Sequence, residues 1–399
     1  MLISYKFRIY PSKTTEAKLN EQLEICRWLY NRLLEEVNKA RKEGRKITRY
    51  DTQSLIVKLK KEHPELKKVY SKVLQMVNYQ LWSNIKALRE IKKKGKKVGK
   101  LRYKTGNSFK TLNFNQSGFK IKENRLILSK VGSIRIKLHR PIMGRVKGVV
   151  IKRAKSGKWF AIVQSEVDPE PLPPTGRSVG IDVGIQHFCV DSDGTAFENP
   201  KFIDKTLEKI RKVQKQLSRK QRGSRRWMKT RVRLAKLYEK LNNQRNDFLH
   251  KLSRYYVNNY DTIVVEDLNI QKMVKNGISS LNRHIHDSSW CRFLSLLAYK
   301  AERAGRRVVK VNPKNTSKKC ARCGHTLENL TLKDRHFTCP NCGWEADRDY
   351  NASLNILNVG LGRPRTPVER RPLLLVPYKR VIEGLVFSMK REAPCVRVG

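Results

Sequence analysis

The sequence has no run of 18 apolar residues, the length a membrane-spanning helix needs, and its opening, MLISYKFRIYPSK, lacks the apolar core of a signal peptide. Both absences point to a cytoplasmic or nuclear protein, nucleoid-associated if the host is prokaryotic, whose thiols stay reduced. Acid is scarce as well: 35 Asp plus Glu stand against 87 Lys plus Arg in 399 residues, a formal net charge of +52. A compact globule with that charge repels itself, so the composition calls for a polyanionic partner, one able to neutralise on the order of tens of phosphates. Nucleic acid is the natural candidate. An anionic membrane fits less well, because the cations are spread along the whole chain and not gathered on one amphipathic helix. A chain this long can hold two or three domains and bury a sizeable core.

Cysteine is sparse, which makes its arrangement informative. Cys26, Cys189, Cys291 and Cys395 are isolated and read as core or tail thiols. The other four form two C-x2-C pairs, Cys320 with Cys323 and Cys339 with Cys342, with fifteen residues between the pairs. Gly324 and Gly343 follow each second cysteine, where a knuckle needs a residue tolerant of positive φ. Spacing and redox compartment together favour a zinc ribbon, four thiolates around one Zn2+, over two disulfides.

Local pattern divides the chain. Ile3, Tyr5, Phe7 and Ile9 alternate with polar residues in a half-buried strand ended by Pro11, and Ser12 can cap the helix that follows. Leu19, Leu23, Cys26, Leu29, Leu33 and Val37 recur at helical spacing, as do Val69, Val73, Val77, Leu81, Ile85 and Leu88, with a shorter helix around Leu55 to Leu59 between them. The run KKKGKKVGK, Lys92 to Lys100, reads as a solvated linker. From Phe119 to Val167 the period becomes two, which predicts an antiparallel sheet or small barrel that the first strand can rejoin. DPEPLPPTG, Asp168 to Gly176, reads as a linker.

Beyond it, Ser178 to Asp182 and His187 to Val190 form a hairpin, and Lys205 to Tyr256 two Lys- and Arg-dense helices broken near Gly223, suited to a nucleic-acid groove. Thr262 to Val265 and Val308 to Val311 are strands on either side of a helix, Trp290 to Ala304. After Gly362 the prolines at 364, 367, 372 and 377 predict little fixed structure.

Three carboxylates stand at element edges: Asp182 on the first strand after the linker, Glu266 at the end of a central strand, and Asp349 at the start of the last helix. If those strands are neighbours, the three acids converge, and bare like charges within a few ångströms raise one another's pKa. Two Mg2+ or Mn2+ ions would offset the repulsion and flank a scissile phosphate, the chemistry of phosphodiester hydrolysis. Asp347 and Asp267 read as supporting or capping residues.

GIDVG at 180–184, NNQRNDFLHKLS at 242–253, VVEDLN at 264–269, the two C-x2-C pairs and DRDYNASLNI at 347–356 resemble the TnpB family, transposon-encoded RNA-guided DNA endonucleases similar to type V CRISPR effectors. YKFRIYPS and CRWLYNRLLEE near the start resemble the family's opening strand and helix. The likeness covers roughly residues 3 to 360. It implies an α+β multidomain protein with a β-barrel-like wedge domain (1–11 and 112–170) into which a helical recognition domain (12–111) is inserted. An RNase H-like (RuvC) nuclease domain (178–311 and 345–361) follows, interrupted by a zinc ribbon (312–344) that handles the target strand and followed by an irregular tail (362–399). The implied site residues are Asp182, Glu266 and Asp349 for Mg2+ and Cys320, Cys323, Cys339 and Cys342 for Zn2+.

The implied partners are a guide RNA derived from the transposon end and double-stranded target DNA, cut beside a short adjacent motif that Gln75 would help read, since glutamine can pair bidentately with adenine. Competing functions are an RNase H-fold transposase performing strand transfer, which more usually orders its acids Asp, Asp, Glu, and a nucleic-acid binding regulator with an idle nuclease site.

Overall fold

The computed structural model describes residues 1–106, 108–269, 273, 282, 285, 287–330, 334–362 and 372–384. The chain divides into two compact units, Met1–Asp168 and Pro169–Gly399.

In the first unit seven strands, β1 (Leu2–Tyr10), β2 (Thr111–Asn115), β3 (Phe119–Lys122), β4 (Arg125–Leu128), β5 (Gly132–Lys137), β6 (Arg145–Arg153) and β7 (Trp159–Glu166), form one antiparallel sheet in the order β2-β6-β7-β1-β5-β4-β3. The N-terminal strand does rejoin the later ones, and it takes the middle of the sheet: Tyr5, Phe7 and Ile9 are buried while Lys6 and Tyr10 face out, the alternation a one-sided sheet requires. The two edge strands, β2 and β3, are consecutive in sequence, joined only by a 3-10 turn at Gln116–Gly118. The sheet must therefore curl until its edges nearly meet, which makes it a nearly closed barrel. Strand β2 has no counterpart in the periodicity reading, because its polar residues outnumber Leu112 and Phe114.

Between β1 and β2 lie helices α1 (Lys13–Lys42), α2 (Arg49–Glu62) and α3 (Ser71–Lys93). Ser12 caps α1 by accepting from the Thr15 amide at 3.2 Å, and Thr48 caps α2 in a reciprocal box with Asp51. Every apolar residue of the α1 series from Leu19 to Val37 is buried, and this face shares one core with the sheet. Gln75 is half-buried on α3.

The second unit opens with a correction. Residues 169–176 are not a free linker but a strap: the Glu170 and Leu172 amides donate to Arg303 and Ala304, and the Asp261 carboxylate collects the amides of Thr175 and Gly176. Six strands follow, β8 (Ser178–Val183), β9 (His187–Asp191), β10 (Thr195–Glu198), β11 (Thr262–Glu266), β12 (Arg307–Val311) and β15 (Leu374–Val376), in the order β12-β11-β8-β9-β10-β15. Strands β8, β9 and β10 are an antiparallel meander, whereas β11 runs parallel to β8 and to β12.

The helices are α4 (Phe202–Ser218), α5 (Arg225–Asn259), α6 (Trp290–Arg303), α7 (Arg348–Leu361) and α8 (Tyr378–Glu383). Ile263 and Val265 of β11 share a core with α5 and α6, and Val264 between them packs with Ile356 of α7, so β11 is buried on both faces.

The tail also departs from expectation. Residues 372–384 are ordered: β15 extends the sheet parallel to β10, α8 follows, and Val376 and Val381 are buried. The reason is an edge. Strand β10 would otherwise present unpaired backbone, and the apolar run beginning at Leu373 supplies a partner for it. Tyr378 anchors the end, its ring against Phe202 and its hydroxyl 3.0 Å from the Lys205 ammonium. Cys395 lies outside the described residues. Burying a valine contributes about 1.5–3 kcal/mol, so removal of residues 372–399 is expected to lower the melting temperature of the second unit by several degrees, measured by circular dichroism.

Candidate active site

Period-two alternation points Gly180 and Asp182 of β8 to the face that α7 covers, opposite Val179 and Ile181. On the neighbouring strand Val265 stands beside Ile181 in parallel register, so the residues that follow the pair, Glu266 and Asp182, share the α7 face. Gly180 is where α7 reaches the sheet: a Cβ there would lie 2.2 Å from the Ser353 carbonyl oxygen and 2.7 Å from the Leu357 nitrogen. Gly360 repeats the arrangement from the helix side, where a Cβ would meet Val264 at 2.2 Å. Asp347 caps α7, accepting from the amides of Asp349 at 2.9 Å and Tyr350 at 3.1 Å, and this turns Asp349 toward the sheet. Gly184 lies beside the cluster: a Cβ there would be 3.1 Å from the His187 carbonyl oxygen and in ordinary contact, 3.8 Å, with Asp349 Oδ2.

The three acids thus come together, and their electrostatics register it. Asp182 keeps a partly exposed edge, yet protein surrounds its carboxyl so closely that burial pushes it well above the ordinary carboxylate range, with the charges of Glu266 and Asp349 adding to the rise. Burial also raises Glu266, opposed by a hydrogen bond from the Thr316 hydroxyl at 2.5 Å. Arg348 lies 3.2 Å from Asp349 Oδ1 and Arg335 3.9 Å from Oδ2, and Arg348 also favours the charged form of Asp182. The carboxylates are near enough to act on one another's charge but are more widely spaced than the cysteines. Among the described residues, Cys320, Cys323, Cys339 and Cys342 are the one set whose ligand atoms all lie within 4.8 Å of each other. Asp267 points away and pairs with Lys310 on the surface.

The cysteines sit on two knuckles of the same design. The Gly324 amide donates to the Cys320 carbonyl and the Gly343 amide to that of Cys339, each at 3.0 Å, and both glycines take positive φ. The sulfurs of Cys320 and Cys342 are 3.6 Å apart, those of Cys323 and Cys339 3.5 Å. Four thiolates about 2.3 Å from a tetrahedral zinc stand roughly 3.8 Å from one another, so the set fits that ion. The His325 amide and the Asn341 side chain bring the Cys323 thiol down to about 6, whereas burial pushes Cys320 up to about 12 and also raises Cys342, so it is the spacing of the sulfurs and not their acidity that fits the ion. Strands β13 (His336–Thr338) and β14 (Glu345–Asp347) form the ribbon's hairpin, and β14 runs straight into α7.

Sequence reasoning missed the polar residues that join these parts. Asn351 of α7 accepts from the Ala321 amide and donates to the Lys319 carbonyl; Asn355 donates to the carbonyls of Thr316 and Lys319. Both are almost fully buried. Their signal was available: two asparagines at i and i+4 inside an otherwise buried helical stretch need partners. Gln75 belongs to the first unit and takes no part in this cluster.

Comparison with known proteins accords with the motifs. The family described as "Probable transposase" matches residues 161–277, the "Cas12f1-like, TNB domain" residues 290–356, and a family described as "Helix-turn-helix domain" residues 1–46. The last stretch is here one strand and one unbroken helix followed by a turn. InsQ of Escherichia coli (strain K12), provisionally named an RNA-guided DNA endonuclease, is 32% identical over 379 residues, covering 90% of this chain and 92% of its own. A protein of the same provisional name from Streptomyces pristinaespiralis is 32% identical over 368 residues, 90% of this chain and 89% of its own. TnpB-like protein L770 of Acanthamoeba polyphaga mimivirus is 27% identical over 242 residues, 57% of this chain and 46% of its own. An identity of 32% sustained across about nine-tenths of both chains, together with the motifs around all three acids and both cysteine pairs, makes this chain a member of the TnpB family.

Proposed function

We propose that the chain is an RNA-guided DNA endonuclease of a transposon, which hydrolyses phosphodiesters with two Mg2+ or Mn2+ ions held by Asp182, Glu266 and Asp349. The observation that carries this reading is the convergence of three carboxylates from β8, β11 and α7 on one face of the sheet, two of them raised by burial. The strand order β10-β9-β8-β11-β12, three antiparallel strands and then two parallel ones, supports an RNase H-like (RuvC) sheet. On this reading residues 178–311 and 345–361 form the nuclease domain, 312–344 the target-strand ribbon, 1–11 with 112–170 the wedge and 12–111 the recognition domain. The acid order Asp, Glu, Asp and the names of the relatives favour it over strand transfer.

Hard oxygen donors suit Mg2+ or Mn2+. Such ions, when bound, supply Lewis-acid activation of water and neutralise charge on the leaving oxygen. The chain's own residues prepare the site. Asp182 is the carboxylate whose ionisation gains most from an arriving cation, because burial and two acidic neighbours oppose its charge. The Asp347 cap fixes the turn that carries Asp349. The guide RNA would pair with one strand of the target DNA, so that base pairing reads sequence while the protein reads duplex shape and a short adjacent motif, with Gln75 as one contact. The Lys- and Arg-dense faces of α4 and α5 suit the phosphates of that duplex.

Purified with its native flanking transcript, the protein should carry RNA and cut a guide-matched duplex in Mg2+. Asp182→Ala should lower cleavage on the order of a thousand-fold or more while retaining the RNA. Strand-transfer products made without RNA would instead support the transposase. Metal analysis should find about one Zn2+ per chain, as a four-thiolate site binds, and the double substitution Cys320→Ser with Cys339→Ser should lose it; unchanged zinc would refute the ribbon assignment.

A further inference from the structure

Thr316 stands four residues before the first ribbon cysteine, where the chain leaves β12 for the ribbon. Its hydroxyl donates to Glu266 Oε1 at 2.5 Å, between side chains in residues only 5% and 8% exposed. The Pro313 carbonyl is the other acceptor in reach, at 3.1 Å. A hydroxyl has one proton to give, and the shorter bond to an ionised acceptor is the stronger. One Glu266 oxygen is thus held, which leaves the other to serve a further partner. A glutamate at a strand end has three side-chain torsions, and this bond is what limits them.

Thr316 is itself anchored. Asn355 of α7 donates to its carbonyl at 2.9 Å and to that of Lys319 at 2.7 Å, and Asn351 takes the Ala321 amide at 2.9 Å, on either side of the metal-binding Cys320. The segment from Thr316 to Ala321 thus touches Glu266 at one end, a zinc knuckle at the other, and along its length the helix that carries Asp349.

We infer that Thr316 is a positioning residue for Glu266, through which the root of the zinc ribbon sets the geometry of the nuclease metal centre. This rests on the metal-centre reading above. Hydrogen-bond partners of metal-ligating side chains typically change metal affinity about 10–100-fold when removed, and the hydroxyl of Thr316 has that relation to Glu266. Because binding couplings are reciprocal, order in the ribbon root and divalent-ion affinity at the acids rise together.

The test is Mn2+ binding to the full chain without nucleic acid, followed by electron paramagnetic resonance, with zinc content measured in parallel. Thr316→Val, which keeps shape and removes the proton donor, should weaken Mn2+ binding about 10-fold or more with zinc retained. Thr316→Ser should stay within about twofold of the parent by the same reasoning. In a Glu266→Gln background Thr316→Val should add no further loss, since the two act through one contact. Parent-like Mn2+ affinity in Thr316→Val, or additive losses in the double variant, would overturn the inference. If Asp182→Ala leaves Mn2+ affinity untouched, it is the metal-centre reading that fails, whatever Thr316 does.

Discussion

The second unit depends on a place where two backbones touch with no side chain between them. At Gly180 the last long helix lies directly on β8, and a single methyl group there would overlap the Ser353 carbonyl. Helices usually pack on sheets about one side-chain layer away, and at that distance a short aspartate at a helix start would not reach a carboxylate on the strand. Removing the layer at one point brings Asp349 to Asp182. The approach works against charge, since it gathers acids that repel, so burial elsewhere along the helix must hold it: Ile356 with Val264 and Val311, and Tyr350 and Leu354 in the ribbon core. Arg348 and Arg335 beside Asp349 moderate the repulsion within the cluster.

The same helix organises the ribbon. One face serves the sheet through glycine, another the ribbon root through Asn351 and Asn355, and its first turn is capped by the residue that ends the ribbon's second strand. A ribbon built on four thiolates has little apolar core of its own, and Tyr350 and Leu354 of α7 complete it with Phe337 and Trp344. The cysteine set and the acid set therefore share a scaffold while differing in kind: a tight set of sulfurs on paired knuckles, and a looser set of oxygens on three separate elements.

Much of this was legible in the residues. Helical spacing identified α1 and α3 because their apolar stripes answer to one core, and the cysteine spacing and the three acids at element edges were visible because short-range pattern carries them. What escaped were features decided by partners distant in sequence. Strand β15 is three residues that become a strand only because β10 offers an edge, and β10 itself follows a turn after the hairpin that was recognised. The strap at 169–176 looks like a linker by composition, and only Asp261, more than eighty residues on, makes it structure. Thr316 is an ordinary hydroxyl until folding sets it against a glutamate fifty residues upstream. Gly180 was visible as a glycine, but the reason for it lies in a helix that begins at Arg348.

Strand β15 bears on how the protein is made. The first unit is complete in sequence at Asp168, whereas the edge of the second unit's sheet awaits Val376. At roughly 5–20 residues per second of synthesis, about 10–40 s separate the two points. During that interval the emerging chain already carries a finished basic barrel and helical bundle, while Asp182 has neither Asp349 beside it nor a closed sheet around it. The order of translation therefore completes the cation-rich unit before the three acids can gather, so that for this interval a ribosome-bound chain presents its basic surface without its acidic cluster.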